Sequence, residues 1–225
     1  MPDNPTLQSS LDFLDGLAKN NDRAWFQAHR PDYQAARLPF ERFVDGLIDE
    51  FRLADGLQAL SARDCIPRIY RDIRFSHDKS PYKTNFAALI GPGGWKGSQG
   101  SHMGYYLSLE PHDRSMLAGG LYDPSSEQLE HFRAAIARNA SAFKRITQAR
   151  EFVAAFGEVQ GDRLKTAPKG YDRAHPEIAL LQLKQVTAYH HFTDREVLAG
   201  DFQPRVIAAC RALRPFLDIL EEMLV

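Results

Sequence analysis

The chain has 225 residues, of which 28 are basic and 29 acidic, with a formal net charge of −1 and a pI of about 6.7. Because these charges balance, the protein as a whole is not expected to attract nucleic acid or acidic membranes, although a local basic patch is compatible with the balance. A chain of this length buries roughly 70% of the surface that its unfolded form exposes, so it needs neither a metal nor a disulfide to fold.

Cysteine usage and the N-terminus both indicate a cytoplasmic protein. Cys65 and Cys210 lie far apart and form no CxxC unit, which fits a reducing compartment. Residues 1–5 lack the basic and then apolar pattern of a signal peptide, and the chain has no apolar run long enough for a membrane span. We therefore expect a cytoplasmic protein without a membrane segment.

The first third of the chain has the period of amphipathic helices. Leu11, Leu14 and Leu17 share one helical face, and a second helix begins near Trp25. Pro39 is predicted to be the first residue of a third helix. The apolar stripe of that helix consists of Phe40, Phe43, Val44, Leu47, Ile48 and Phe51.

The middle of the chain alternates in the manner of β-strands, and helices return after it. Strands are predicted over residues 69–75, 85–90, 103–109 and 115–118, the last closed by Gly119 and Gly120, with another over residues 184–192. Loops too short for crossover helices predict an antiparallel meander. With no evident linker, the prediction is one domain over residues 1–225, of class α+β, whose antiparallel central sheet is packed by the N-terminal and C-terminal helices.

Residues 70–85, named the charged segment below, read YRDIRFSHDKSPYKTN and carry the chemistry available in this chain. Guanidinium and ammonium groups beside hydroxyl and amide groups suit a phosphate or carboxylate ligand. Asp72 or Asp78 would orient these cations or act as a catalytic base. The predicted ligand-binding residues of the segment are Arg71, Arg74, Lys79, Tyr82, Lys83 and Asn85.

Two further loops have features of binding sites. Lys169 lies in a Pro-Lys-Gly turn within residues 165–172, which would complete an anion site if that loop folds against the charged segment. Residues 91–100 are glycine-rich but lack the order of a P-loop, so they form either a flap over a ligand or a plain flexible loop.

The charged segment also resembles the hallmark of a bacterial and fungal family, domain of unknown function 2461, whose members are similar to YRDxRFSxDKxPYKxN. The resemblance extends to residues 20–26, 104–106, 119–124 and 164–171, and so covers nearly the whole chain. It implies one intact domain and favours a site in the charged segment. Because the family has no established activity, the resemblance transfers no mechanism.

Three functional interpretations follow. The first is a small-molecule enzyme or binding protein for an anionic, plausibly phosphorylated, ligand. The reaction and the cofactor are left open. No metal site is expected, since no His or Cys cluster has the spacing of metal ligands. The second is a non-catalytic module that docks a protein or nucleic acid, with Trp95, Tyr105 and Tyr106 stacking on it. The third is a structural salt-bridge network. A concave site favours the first, and a flat patch the second. The sequence leaves the oligomeric state open.

Overall fold

The apolar stripes at both ends of the chain form helices, as their period predicts. A computed structural model describes residues 7–74, 76–97 and 103–225. The helices in these ranges are α1 (Gln8–Lys19), α2 (Arg23–Ala28), α3 (Arg30–Phe51), α4 (Ala62–Cys65), α5 (Gly94–Gly97), α6 (Ser126–Arg138), α7 (Ser141–Thr147), α8 (Arg150–Phe156), α9 (Ile178–Leu181), α10 (Asp194–Val197) and α11 (Phe202–Met223). The strands are β1 (Phe86–Ile90), β2 (Tyr105–Leu109), β3 (Ser115–Leu121) and β4 (Val186–Phe192).

The four strands form one antiparallel sheet in the order β1-β2-β3-β4, which confirms the predicted meander and the α+β class. Each strand presents alternate residues to opposite faces. One face packs against helices from both ends of the chain. The ring of Phe86 lies 6.4 Å from that of Phe13 in α1 and 5.8 Å from that of Phe40 in α3. On β3 the same face touches α11, where Gly119 leaves room for Leu213.

Pro39 lies inside α3, so its prediction as the first residue of that helix was wrong. The helix begins at Arg30 and places Pro31 in its first turn, where a missing N–H group costs least. An interior proline removes one backbone hydrogen bond from the helix. Burial of the stripe from Phe40 to Phe51 outweighs that loss, because several large side chains leave water together.

The predicted strand over residues 69–75 was also wrong. A single bridge pairs Tyr70 with Tyr82, and residues 71–74 are irregular because their charged groups find partners within the loop. Phe75 lies outside the described residues.

Strand β3, in contrast, continues past its predicted end to Leu121. Gly120 has a φ of +116°, and a Cβ there would lie 2.2 Å from the carbonyl oxygen of Val186, so a glycine is what lets the strand stay paired.

None of the helices in the described ranges combines the length and the apolar composition needed to cross a bilayer. Residues 1–5, on which the absence of a signal peptide was argued, lie outside those ranges.

A nearly buried carboxylate connects three elements beneath the sheet. The side chain of Asp55, which is 6% exposed, lies 2.7 Å from the Arg214 guanidinium of α11. Asp55 also accepts a hydrogen bond of 2.9 Å from the hydroxyl of Tyr105 in β2. This carboxylate therefore holds the end of α3, α11 and the sheet together.

The Asp55→Ala variant is expected to lose about 2–3 kcal/mol of unfolding free energy, because the Arg214 charge and the Tyr105 hydroxyl lose their shared partner. Urea denaturation measures the loss. Asp49→Ala is the matched control, since Asp49 is exposed and pairs with Arg52 on the surface of α3, and its change should stay below about 1 kcal/mol. Equal losses in the two variants would contradict the role given to Asp55.

Candidate functional site

The charged segment forms a long hairpin that is closed by main-chain hydrogen bonds. The N–H of Arg71 donates to the carbonyl of Pro81 at 2.9 Å, and the N–H of Lys83 donates to the carbonyl of Ile69 at 2.8 Å. Asn21 then ties the hairpin to the turn between α1 and α2. Its side-chain amide donates to the carbonyl of Tyr82 at 3.0 Å and accepts from the N–H of Tyr82 at 3.1 Å. The base of the hairpin is therefore fixed to the helical layer.

At the tip of the hairpin the predicted site residues pair with one another. Arg71 contacts Asp78, and Arg74 contacts Asp72 at 2.6 Å. Asp78 also accepts hydrogen bonds from the N–H group and the hydroxyl of Ser80. The ammonium of Lys79 donates to the carbonyl of Ile73 at 3.0 Å. The cations at the tip thus have partners within the tip itself.

The same contacts determine the acidity of the two aspartates. Hydrogen bonding from Arg74 lowers the pKa of Asp72 to about 2. Hydrogen bonds from Ser80, with Arg71 adding to them, hold the pKa of Asp78 well below its usual range. Carboxylates this acidic are weak bases at neutral pH, whereas a general base is most effective with a pKa near the working pH. The catalytic role of Asp72 and Asp78 stays a prediction.

Tyr82 belongs to the core. Its side chain is 2% exposed and stacks on the ring of Phe26, with 4.1 Å between the ring centroids. Burial raises the pKa of its hydroxyl. Tyr82 therefore anchors the hairpin through its ring and its main chain.

Lys83 and Asn85, in contrast, lie where the hairpin enters β1, and their side chains contact residues on the face of the sheet opposite the helical core. Asn85 donates a hydrogen bond of 2.8 Å to the hydroxyl of Ser108 in β2. Burial raises the pKa of the neighbouring Tyr106, and hydrogen bonds with Ser108 and Asn85 act against that rise. The Lys83 ammonium lies 5.3 Å from the centroid of the Trp95 ring, a cation–π contact. Burial lowers the pKa of Lys83, and the positive charge of Arg68 adds to the effect.

Lys169 is not brought to the charged segment. Residues 160–164 pair along the outer edge of β4, where Gln160 bridges Thr187, and Lys169 is exposed in the loop that follows them. The charged segment runs into β1 at the other edge of the sheet. Four interstrand spacings of about 4.8 Å separate these edges, a distance of roughly 19 Å.

A concave groove covers the face of the sheet opposite the helical core, with a volume of about 910 Å³. This is within the usual range for small-molecule sites. The groove is named the sheet-face groove, and its lining includes Trp95, Tyr106, Ala118, Gly120, Tyr122 and Tyr189. Parts of two stretches that carry the family resemblance, residues 104–106 and 119–124, also line it.

Trp95 and Tyr106 are the residues of this lining that were predicted from the sequence, and the other members were not predicted. Tyr105, which the interaction-module interpretation would use for stacking, is 2% exposed and faces the core beside Phe51. Alternation within β2 separates Tyr105 from Tyr106, but their assignment to core and groove needs the packing of the whole sheet. The glycine-rich loop contains α5, which carries Trp95, and its residues 98–100 lie outside the described residues.

Two other cavities are less suited to a ligand. One is lined by the predicted site residues Lys83 and Asn85, together with Arg68, but its volume is only about 10 Å³, room for one water at most. A groove of about 920 Å³ between α8 and α11 includes none of the predicted site residues. Among the described residues, no group of three or more His, Cys, Asp or Glu side chains is arranged to hold a metal ion.

The Asn21→Ala variant is expected to lose about 2 kcal/mol of unfolding free energy, since it removes two hydrogen bonds and leaves main-chain groups of Tyr82 without their partner. Chemical denaturation measures the change. Asn20→Ala is the control, because Asn20 makes its hydrogen bond to Gly16 in an exposed position, and a change within about 0.5 kcal/mol is expected there. A stable Asn21→Ala protein would show that the hairpin does not need this attachment.

Comparison with known proteins gives one match. No curated protein and no solved structure matches the chain. The family described as conserved hypothetical protein (DUF2461) matches residues 9–218. That span contains the charged segment, all four strands and the sheet-face groove. The resemblance carried by the charged segment is confirmed, and the chain belongs to the DUF2461 family of conserved hypothetical proteins.

Proposed function

We propose that this protein binds a small organic anion in the sheet-face groove, with Lys83 as the cation that holds it. The observation that carries the proposal is the contrast between Lys83 and the other cations of the charged segment. Arg71, Arg74 and Lys79 all have partners in the hairpin tip. In the described part of the chain no carboxylate pairs with Lys83, which contacts the ring of Trp95 instead.

Electrostatics supports an anion at this position. Burial and the charge of Arg68 both disfavour the protonated form of Lys83. A bound carboxylate or phosphate group would reverse both effects, because an opposite charge within a few ångströms favours the charged form of a lysine. The half-buried ammonium is therefore better satisfied with an anion than without one.

The shape of the groove supports a small molecule over a macromolecular docking surface. Small-molecule sites are concave and mainly apolar, with a few polar groups that fix orientation. Here Trp95 and Tyr106 provide apolar surface. Lys83 and Asn85 lie just outside this lining, where Lys83 contacts the ring of Trp95 and Asn85 hydrogen-bonds with Ser108, so they would supply polar groups at the edge of the groove. The proposal covers binding, and turnover of the ligand stays open.

Lys83→Met is expected to abolish ligand-induced stabilisation, because it removes the charge while keeping most of the side-chain length. The measurement is a thermal-shift assay with four organic anions: ribose 5-phosphate, AMP, octanoate and 4-(indol-3-yl)butanoate. A ligand at a hundred times its Kd adds about 2.7 kcal/mol, which raises the Tm of a chain of this size by roughly 5–10 °C.

Lys79→Met is the matched control for charge removal, since Lys79 lies in the same segment and contacts the Ile73 carbonyl. It should keep the shift. Loss of the shift in Lys79→Met but not in Lys83→Met would move the anion site to the hairpin tip. If none of the four anions raises the Tm of the wild-type protein, the proposed function is contradicted.

For the hairpin tip we propose a structural role, namely the salt-bridge network that was the third interpretation of the sequence. The pairing of Arg71 with Asp78 and of Arg74 with Asp72 supports this role. Asp78→Asn should speed trypsin cleavage after Arg74 and Lys79, because the loop opens more often once Asp78 has lost its charge. Binding of AMP should persist. Asp162→Asn, which changes an exposed aspartate in a distant loop, is the control and should leave the cleavage rate unchanged. Loss of AMP binding in Asp78→Asn would assign the tip to the site.

We place this function in the cytoplasm. The support is that Cys65 and Cys210 are both free and buried, and that burial raises the pKa of the Cys65 thiol to about 12. Such thiols pack as small apolar side chains, in keeping with a protein of a reducing compartment.

A further inference from the structure

The register of the sheet aligns four residues in one row across the sheet-face groove. Leu89 pairs with Tyr106, Tyr106 with Ala118, and Ala118 with Tyr189. The row therefore places a methyl group between two tyrosines. Beside Ala118 along the same face of β3 lies Gly120, which has no side chain. The floor between the two tyrosines is thus formed by the smallest residues of the groove.

The width of this gap fits one planar ring. Tyr106 and Tyr189 stand two strands apart, which is roughly 9.6 Å between their main chains. The two side chains flank Ala118 on either side. The ring of Tyr106 leans along β2, because its hydroxyl hydrogen-bonds with Ser108 and Asn85, and Tyr106 and Tyr189 form the side walls of the space over Ala118. Carbon atoms in contact lie about 3.5–4.0 Å apart, so a ring between two walls needs roughly 7–8 Å. The gap takes one flat ring system, whereas a puckered ring is thicker and loses stacking on both walls.

The same aromatic lining leads from the gap to Lys83. The Lys83 ammonium lies 5.3 Å from the Trp95 ring centroid, and the Trp95 ring lies 6.5 Å from the Tyr106 ring. Because these two distances add to about 12 Å, the ammonium is at most that far from the Tyr106 ring. Tyr122, another residue of the lining, is 68% exposed, so its ring is accessible to a ligand.

We infer that the ligand carries a planar aromatic ring that lies over Ala118 between Tyr106 and Tyr189, joined by a spacer to an anionic group at Lys83. The inference rests on the proposed function and adds the ligand class: an aryl or heteroaryl phosphate or carboxylate of mononucleotide size. Lys83 lies beyond Trp95 and outside the lining of the groove, whereas Ala118 lies in its floor, so a spacer must join the two groups of the ligand. The aromatic walls call for the ring, because stacked aromatic groups attract beyond their apolar burial.

Two matched pairs of anions test the ring without changing the charge. AMP differs from ribose 5-phosphate by the base, and 4-(indol-3-yl)butanoate differs from octanoate by replacing an alkyl tail with an aromatic ring. Calorimetric titration of the wild-type protein should give a Kd about tenfold lower for the aromatic member of each pair. Equal affinities within both pairs, all lost in Lys83→Met, would overturn the aromatic ligand class and leave the proposed function standing. Absence of binding by all four anions would overturn both.

Ala118→Leu tests where the ring lies. A leucine side chain would fill the gap, so AMP should bind at least tenfold more weakly while ribose 5-phosphate binds as before. Ala118→Ser, which adds one small atom, should bind AMP like the wild type. Tyr189→Leu removes one wall while keeping an apolar side chain, and it should reduce the preference for AMP even if Ala118→Leu does not fold. Undiminished AMP binding by folded Ala118→Leu would contradict this placement.

Discussion

Tyr105 and Tyr106 are neighbours in the chain, and the pleat of β2 sends them to opposite sides of the sheet. Tyr105 packs beside Phe51 and donates to the nearly buried Asp55. Tyr106 faces the groove in the row that it shares with Leu89 and Ala118. A slip of one residue in this register would exchange the two rings and bury the wrong one. The core and the groove therefore depend on the same pairing of β2 with its neighbours.

The helices select the register, because only one set of alternate residues is apolar enough to cover them. Phe86, Leu107 and Leu117 lie on the covered face, and all three are buried. The other face carries two tyrosines, several small residues and a few larger side chains such as Leu89 and Met116. Burial of the helix-covered face therefore also determines which side chains lie on the groove face. The side chains of the groove face themselves contribute little to the core.

The charged segment divides into two parts with different electrostatics. In the tip, acidic and basic side chains are close in sequence, so Arg74 finds Asp72 and Arg71 finds Asp78 without help from the rest of the fold. Lys83 lies beyond the tip, where the chain enters the sheet. Its surroundings are the ring of Trp95 and the charge of Arg68, and these come from other parts of the chain. Lys83 is thus a cation beside an aromatic ring and a second cation. An external anion would stabilise it more than it would stabilise Arg71 or Arg74, which already have carboxylate partners.

By itself the sequence determined most of the helices, the antiparallel meander and the family, because helical and strand periods are local and the motif is contiguous. It also located the charged segment, but it could not distinguish Lys83 from Arg71 or Arg74. All three are cations in one short stretch, and the distinction depends on which side chains the fold places beside each of them. Tertiary structure alone decided that Lys169 lies at the opposite edge of the sheet and that Tyr189 and Ala118 share a row with Tyr106. The physical reason is that strand register is set by burial of a whole face against helices from both ends of the chain, which no local pattern contains.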